Sequence, residues 1–120
     1  MFIRRLKDCK EIVAGDACHL RELLNARTDG RAYRYSLAHA VVKSGEVTKP
    51  HALKTSEVYY ILEGKGRMHI GQESAGVGPG DVIDIPPEAV QYIENTGTSD
   101  LVFICIVDPA WRPEDEVVSG

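Results

Sequence analysis

Glycine and proline divide the chain into short segments, and this division constrains the fold more than any other feature. The 120 residues contain 11 Gly and 6 Pro. Between them lie short runs rich in β-branched and aromatic residues, which predict strands over residues 36–42, 57–62, 67–70, 81–85, 89–94 and 101–107. Many short strands separated by turn residues predict an all-β sandwich or barrel.

The two ends of the chain are less regular than its middle. Residues 10–14 suggest a helical turn that ends at Gly15, and residues 19–24 fit either a helix or a strand. We favour a strand there because the rest of the chain is β. The polar, proline-broken tail after Pro109 predicts an irregular segment, with Trp111 packed on the barrel or on a neighbouring subunit and acidic residues 114–116 in solvent.

Alternation along the strands places polar side chains on faces that are otherwise apolar. Glu57, Tyr59 and Ile61 share one face of their strand, and Gln91 shares a face with Ile93. Buried polar groups need a partner, which can be protein, water or an ion. The inward glutamate and glutamine are therefore the first indication of a polar pocket.

Size, charge and cysteine content exclude several classes of protein. The length fits one domain, and the net charge of −4 provides no basic face for nucleic acid or for an anionic membrane surface. No apolar run approaches the roughly 20 residues that cross a bilayer, and the N-terminus does not resemble a signal peptide. Cys9, Cys18 and Cys105 show no paired spacing. We expect a cytoplasmic protein without a nucleic-acid or membrane partner.

Two segments carry glycine, histidine, glutamate, proline and asparagine in a regular spacing. They run from Gly45 through His51 and Glu57 to Gly64, and from Gly80 through Pro86 to Asn95. This spacing resembles the two motifs of the cupin superfamily. The resemblance implies one cupin domain over residues 1–120, an antiparallel β-barrel or double-stranded β-helix (jelly roll). Within it we expect an N-terminal strand and turn region over 1–30, a barrel core over 36–107 and a tail over 108–120.

The departures from the motifs concern the metal site that the resemblance implies. Cupins of this kind use two histidines and the glutamate of the first motif, together with a histidine of the second. Here Leu53 and Gln91 stand at two of the histidine positions, and Glu88 stands where the second motif has glycine. His51, Glu57 and Gln91 are then the possible ligands of one divalent metal (Zn, Fe, Ni or Mn), with His39 as the candidate fourth ligand.

Two functions stay open at this point, and whether the chain is an enzyme is undecided. The first is a metal-dependent isomerase, lyase or oxygenase acting on a small polar substrate, with Glu57 and His51 as catalytic residues. The second is a non-catalytic module that binds or senses a small ligand and whose metal site has decayed. In either case Gln91, Tyr59 and Lys54 are candidate ligand-binding residues. The resemblance also implies a homodimer, formed through the N-terminal segment and the stretch over 37–42.

Overall fold

The computed structural model describes residues 1–119, and eleven strands form most of it. They are β1 (Ile12–Val13), β2 (His19–Asn25), β3 (Ser36–Val42), β4 (His51–Leu53), β5 (Ser56–Glu63), β6 (Gly66–Ile70), β7 (Glu73–Val77), β8 (Val82–Ile85), β9 (Gln91–Asn95), β10 (Leu101–Asp108) and β11 (Glu116–Val118). One sheet has the order β1-β2-β3-β10-β5-β8 and the other β11-β4-β9-β6-β7. Neighbouring strands pair antiparallel, which confirms the predicted all-β jelly roll.

The strands predicted from sequence are confirmed. The six in the barrel core correspond to β3, β5, β6, β8, β9 and β10, and the favoured strand over 19–24 is β2. The sequence pattern missed β4, β7 and β11. Strands β4 and β11 have only 3 residues each, and β7 consists mostly of small and polar residues (Glu-Ser-Ala-Gly-Val), so neither alternation nor β-propensity identifies them.

The N-terminal segment differs from its prediction. The helical turn expected over 10–14 lies earlier, at Leu6–Asp8, and Ile12–Val13 is instead strand β1. The backbone N–H of Ala14 donates to the carbonyl of Cys18 at 2.9 Å, so the chain turns back and β1 pairs with β2. Pairing with a neighbouring strand satisfies more backbone groups than an isolated helical turn does.

The C-terminal tail also differs from its prediction of an irregular, solvated end. Pro113–Asp115 forms a 3₁₀ turn, and β11 pairs with β4 along the edge of the second sheet. Asp115 is 6% exposed and accepts a hydrogen bond from Arg112 Nε at 2.9 Å. Trp111 packs against the barrel, where its backbone N–H donates to Ser36 Oγ. A short helix, α1 (Ala26–Asp29), follows β2.

The hydrophobic core lies between the two sheets. Its fully buried side chains include Ile61, Ile93, Leu101 and Phe103, and the Tyr59 ring contacts the Phe103 ring with centroids 4.5 Å apart. The inward face predicted for β5 is confirmed, because its alternate residues from Glu57 to Ile61 are all buried. This alternation carries one carboxylate into the same face as the core.

Gly64 connects β5 to β6 at a point where no other residue fits. Its φ is +84°, and a Cβ there would lie 2.4 Å from the carbonyl oxygen of Asp100. Glycine both adopts this left-handed conformation and permits the close approach to β10. The glycine that ends the first motif is therefore explained by backbone packing.

None of the helices among residues 1–119 has the length and hydrophobicity needed to cross a membrane.

Candidate functional site

Strand β4 positions His51 between its neighbours β9 and β11. His51 lies opposite Gln91 on one side and Val118 on the other, and it is 3% exposed. Its Nδ1 lies 2.9 Å from the carbonyl oxygen of Lys49. Because a carbonyl can only accept, this contact assigns the proton to Nδ1 and leaves Nε2 as the atom that faces a second partner. The carboxylate oxygen Oδ2 of Asp16 lies 3.6 Å from Nε2, beyond hydrogen-bond distance.

Strand β5 positions Glu57, which is held by a chain of buried hydrogen bonds. Gln91 Nε2 donates to Glu57 Oε1 at 2.5 Å, and the Tyr59 hydroxyl donates to Gln91 Oε1 at 3.0 Å. Gln91 is fully buried. Its amide therefore uses both ends, and the chain Tyr59–Gln91–Glu57 fixes the orientation of the carboxyl.

The environment of Glu57 favours its neutral form. Burial, together with the nearby carboxylates of Asp16 and Glu116, raises the pKa of Glu57 from 4.5 to about 8, although the hydrogen bond from Gln91 acts in the opposite direction. A carboxyl with a pKa near neutrality can donate or accept a proton at physiological pH.

His51 and Glu57 both line a cavity of about 330 Å³. Much of its wall is apolar, formed by side chains that include Leu20, Ala38, Leu53, Val107 and Trp111. Tyr59 and the buried thiols of Cys18 and Cys105 also line it. Burial raises the pKa of both thiols, so they stay protonated and act as inert wall atoms.

Three carboxyl groups of this cavity, those of Asp16, Glu22 and Glu116, come from residues that the sequence did not assign to the site. Asp16, 6% exposed, lies in the turn between β1 and β2, and its Oδ1 accepts from the backbone N–H of Cys18 at 3.2 Å. Glu116 begins β11 and is half-buried, and burial followed by the charge of Asp16 raises its pKa, whereas His51 lowers it. The sequence did not predict Glu116 as a site residue because it belongs to an acidic run that is typical of a solvated chain end. No local sequence pattern identifies Asp16 as a site residue.

The structure brings only some of the predicted site residues together. His51, Glu57 and Tyr59 line the cavity, whereas Gln91 does not line it and forms hydrogen bonds with Glu57 and Tyr59. Lys54 is exposed and lines a different cleft, because Leu53 faces the cavity and the next residue points the opposite way.

His39, the candidate fourth metal ligand, also lies away from the cavity. It is on the outer face of the six-stranded sheet, opposite Ile104 and Arg21. Burial, and then the charge of Arg21, lower its pKa.

The side chains of this site do not fit a metal ion. Gln91 Oε1, the oxygen considered as a third ligand, already accepts from Tyr59, and Leu53 supplies no donor. Within residues 1–119, no group of three or more His, Cys, Asp or Glu side chains is arranged to hold a metal. A zinc, iron or nickel site usually has three protein ligands at one point. Asp16 and Glu116 also line the cavity, but within residues 1–119 they do not complete such a group with His51 and Glu57.

Comparisons with known proteins agree with the fold. The family model described as a cupin domain matches residues 38–107. An uncharacterised protein of Methanocaldococcus jannaschii is 39% identical over 107 residues, which cover 88% of this chain and 85% of that protein. An oxalate-binding protein of Thermotoga maritima is 37% identical over 51 residues, or 42% of each chain.

Solved structures extend the similarity to nearly the whole chain. The oxalate decarboxylase of Lactobacillus farciminis, in a formate complex, superposes with a TM-score of 0.79 at 19% identity. That superposition covers 93% of this chain but only 34% of the decarboxylase. A protein of Photorhabdus luminescens superposes with a TM-score of 0.78 at 22% identity, over 95% of this chain and 90% of that one. At these identities the likeness concerns the fold alone.

Proposed function

Because the chain belongs to the cupin family, we propose that its cavity binds one small organic ligand through Glu57 and His51 without a metal ion. The observation that carries this proposal is the hydrogen-bonded series Tyr59–Gln91–Glu57. In it Gln91, at the position of a metal-binding histidine, orients the carboxyl of Glu57 instead of binding a metal. The function is then that of a ligand-binding or sensing module, since the fold itself serves many roles.

The charges in the cavity restrict the chemical class of the ligand. Asp16, Glu22, Glu57 and Glu116 all line it, and no lysine or arginine of the described chain does so. An anion such as oxalate would meet carboxylates without a compensating cation, which is unfavourable in a buried site. A neutral hydrogen-bonding group or an ammonium group, attached to a small apolar body that contacts Leu20 and Trp111, fits these walls.

The second candidate is a metal-dependent enzyme of the isomerase, lyase or oxygenase class. Its support is that His51 and Glu57, two residues of the cupin ligand set, line one cavity. In that case a divalent ion (Zn, Fe, Ni or Mn) would be held by these two residues and Gln91. The hydrogen bond that Gln91 Oε1 accepts from Tyr59 favours the metal-free function.

Metal analysis with a matched variant separates the two candidates. Leu53 lies two residues after His51 on the same face of β4, and Gln91 lies opposite His51, so Leu53→His with Gln91→His supplies both missing imidazoles. We expect the double variant, incubated with manganese, nickel or zinc, to bind about one ion per chain by elemental mass spectrometry, and the wild type to bind none. Stoichiometric metal in the wild type, purified without a histidine tag, would favour the enzyme.

Ligand binding is tested by thermal shift with small amines, amides and carboxylates, oxalate among them. We expect stabilisation by amines or amides, none by oxalate, and loss of the shift in Glu57→Ala. Stabilisation by oxalate alone would contradict the proposed ligand class.

We propose further that the chain forms a homodimer through the outer face of its six-stranded sheet. Ile106 on β10 lies between Leu37 on β3 and Val58 on β5, and Tyr60 and Val82 extend the apolar surface with 44% and 68% exposure. Such a contiguous apolar patch is typical of an interaction surface. Arg21 Nε, on the same sheet, is buried without a hydrogen-bond partner among residues 1–119.

The cysteines support a reducing, cytoplasmic setting for this protein. Cys9, Cys18 and Cys105 are all free thiols. Extracellular proteins of this size more often pair their cysteines.

A further inference from the structure

A second concave surface lies on the other side of the C-terminal segment from the cavity. It is an open cleft of about 570 Å³. Three parts of the chain form it: α1 with the loop before β3, the turn between β4 and β5, and the segment after β10. Its charged lining consists of four cations and one carboxylate, namely Arg27, Arg34, Lys54, Arg112 and Asp115.

The positive charge of this cleft is only partly compensated. Arg34 Nε donates to Asp108 Oδ1 at 2.8 Å, and Arg112 Nε donates to Asp115 Oδ2 at 2.9 Å. Arg27 and Lys54 form no ion pair with any residue in 1–119. The whole chain carries a net charge of −4, so this concentration of cations is a local feature that would attract an anion.

A buried hydroxyl in the cleft lacks a partner. Thr55 is 9% exposed, and its Oγ1 makes no hydrogen bond within residues 1–119. Burying an unpaired hydroxyl costs free energy, and each such group in a folded protein calls for an explanation. A ligand that accepts a hydrogen bond at this position would supply the missing partner.

We propose that this cleft binds the phosphoryl group of a small phosphorylated molecule. Arg27 offers a planar guanidinium that can bind two phosphate oxygens, and Lys54 offers a compact charge beside it. The Thr55 hydroxyl is buried in the free protein, and it would reach a third phosphate oxygen after rotation of its side chain. The site is distinct from the cavity of Glu57, where carboxylates would repel the same anion, so it adds a second ligand to the one proposed above.

The test is calorimetric titration of the full chain, in phosphate-free buffer, with inorganic phosphate, glycerol phosphate and oxalate. We expect saturable binding of phosphate that weakens about tenfold or more in Arg27→Ala with Lys54→Ala, since each charge-assisted bond contributes appreciably. The matched control is Arg5→Ala with Lys65→Ala, which removes the same charges at exposed positions outside the cleft. It should bind phosphate as the wild type does.

The hydroxyl is tested by Thr55→Val, which keeps the shape of the side chain. We expect weaker phosphate binding with no loss of stability in the free protein, because an unpaired buried hydroxyl is removed. Tighter binding of glycerol phosphate than of phosphate would identify an organic phosphate as the ligand, and the reverse would identify free phosphate. No saturable binding, equal weakening in the control variant, or equal affinity for oxalate would overturn the proposal.

Discussion

At the scale of single residues, the presence of Gln91 where the second cupin motif has histidine changes the role of Glu57. In the cupin metal set the second motif supplies an imidazole, whereas here Gln91 donates an amide hydrogen to Glu57 and accepts one from Tyr59. A glutamine can satisfy both neighbours at once because its amide has a donor end and an acceptor end. The carboxyl is consequently oriented by protein rather than by an ion.

The raised pKa of Glu57 predicts that stability depends on pH. The folded state holds the proton up to about pH 8, whereas the unfolded chain releases it near 4.5. Stability from this group is therefore complete below pH 4.5 and is lost as pH rises towards 8. Glu57→Gln removes this dependence on pH. We expect the free energy of unfolding of the variant to exceed that of the wild type by on the order of 3–5 kcal/mol at pH 8, but by little at pH 4.5. Urea unfolding between pH 4.5 and 8 measures this, and a difference that is independent of pH would contradict it.

Glu88 adopts a backbone conformation that suits glycine. Its φ is +72°, at the position where the second cupin motif carries glycine. The left-handed conformation costs a non-glycine residue about 1–2 kcal/mol. A glycine at this position would avoid that cost, but part of the gain is lost because glycine has greater conformational freedom in the unfolded chain. We expect Glu88→Gly to stabilise the protein by about 0.5–1 kcal/mol in denaturant unfolding. Glu88→Ala, which removes the same charge but keeps the Cβ, should give no comparable gain.

At the scale of elements, Asn95 joins three segments of the barrel. Its Nδ2 donates to the carbonyls of Val42 and Ser99, at the end of β3 and before β10, and its Oδ1 accepts from Gly97 N–H. The asparagine of the second motif is thus a structural clamp on the turn between β9 and β10. It lies at the end of β9, while Gln91, which orients Glu57, lies at the beginning.

Removal of this clamp should weaken the whole fold. Asn95→Ala leaves the buried carbonyl of Val42, the carbonyl of Ser99 and the N–H of Gly97 without their partner. We expect a loss of about 2–4 kcal/mol in the free energy of unfolding. Thr96→Ala, at the exposed neighbouring position, should change it by less than about 0.5 kcal/mol. Similar losses in the two variants would show that Asn95 has no special role.

At the scale of the whole molecule, the outer face of the six-stranded sheet predicts self-association. Ile106→Lys places a charge at the centre of that face, and we expect it to raise the dimer dissociation constant about thirtyfold or more. Sedimentation equilibrium measures this, with Val90→Lys, at an exposed position just before β9 of the other sheet, as the control. A wild type that is monomeric at all concentrations would contradict the proposal.

The sequence predicts the barrel and the two motif residues of the cavity because both follow from short-range patterns. Alternation places Glu57 and Gln91 inward, and motif spacing identifies His51. Asp16 and Glu116 could not be predicted, because they reach the cavity only through the pairing of β1 with β2 and of β11 with β4, contacts between distant parts of the chain. Lys54 was assigned to the cavity because it is next to Leu53, the position of a missing histidine, but neighbouring residues of a strand point to opposite faces.

The segment after β10 forms a common wall between the two concave surfaces. Trp111 and Glu116 line the cavity, whereas Arg112 and Asp115 line the basic cleft. Molecules bound on the two sides therefore contact different but neighbouring residues of one segment. If binding in the cleft changes the affinity of the cavity for its ligand, thermodynamic linkage requires the reciprocal effect. Binding in the cavity must then change the affinity of the cleft for its own ligand by the same factor.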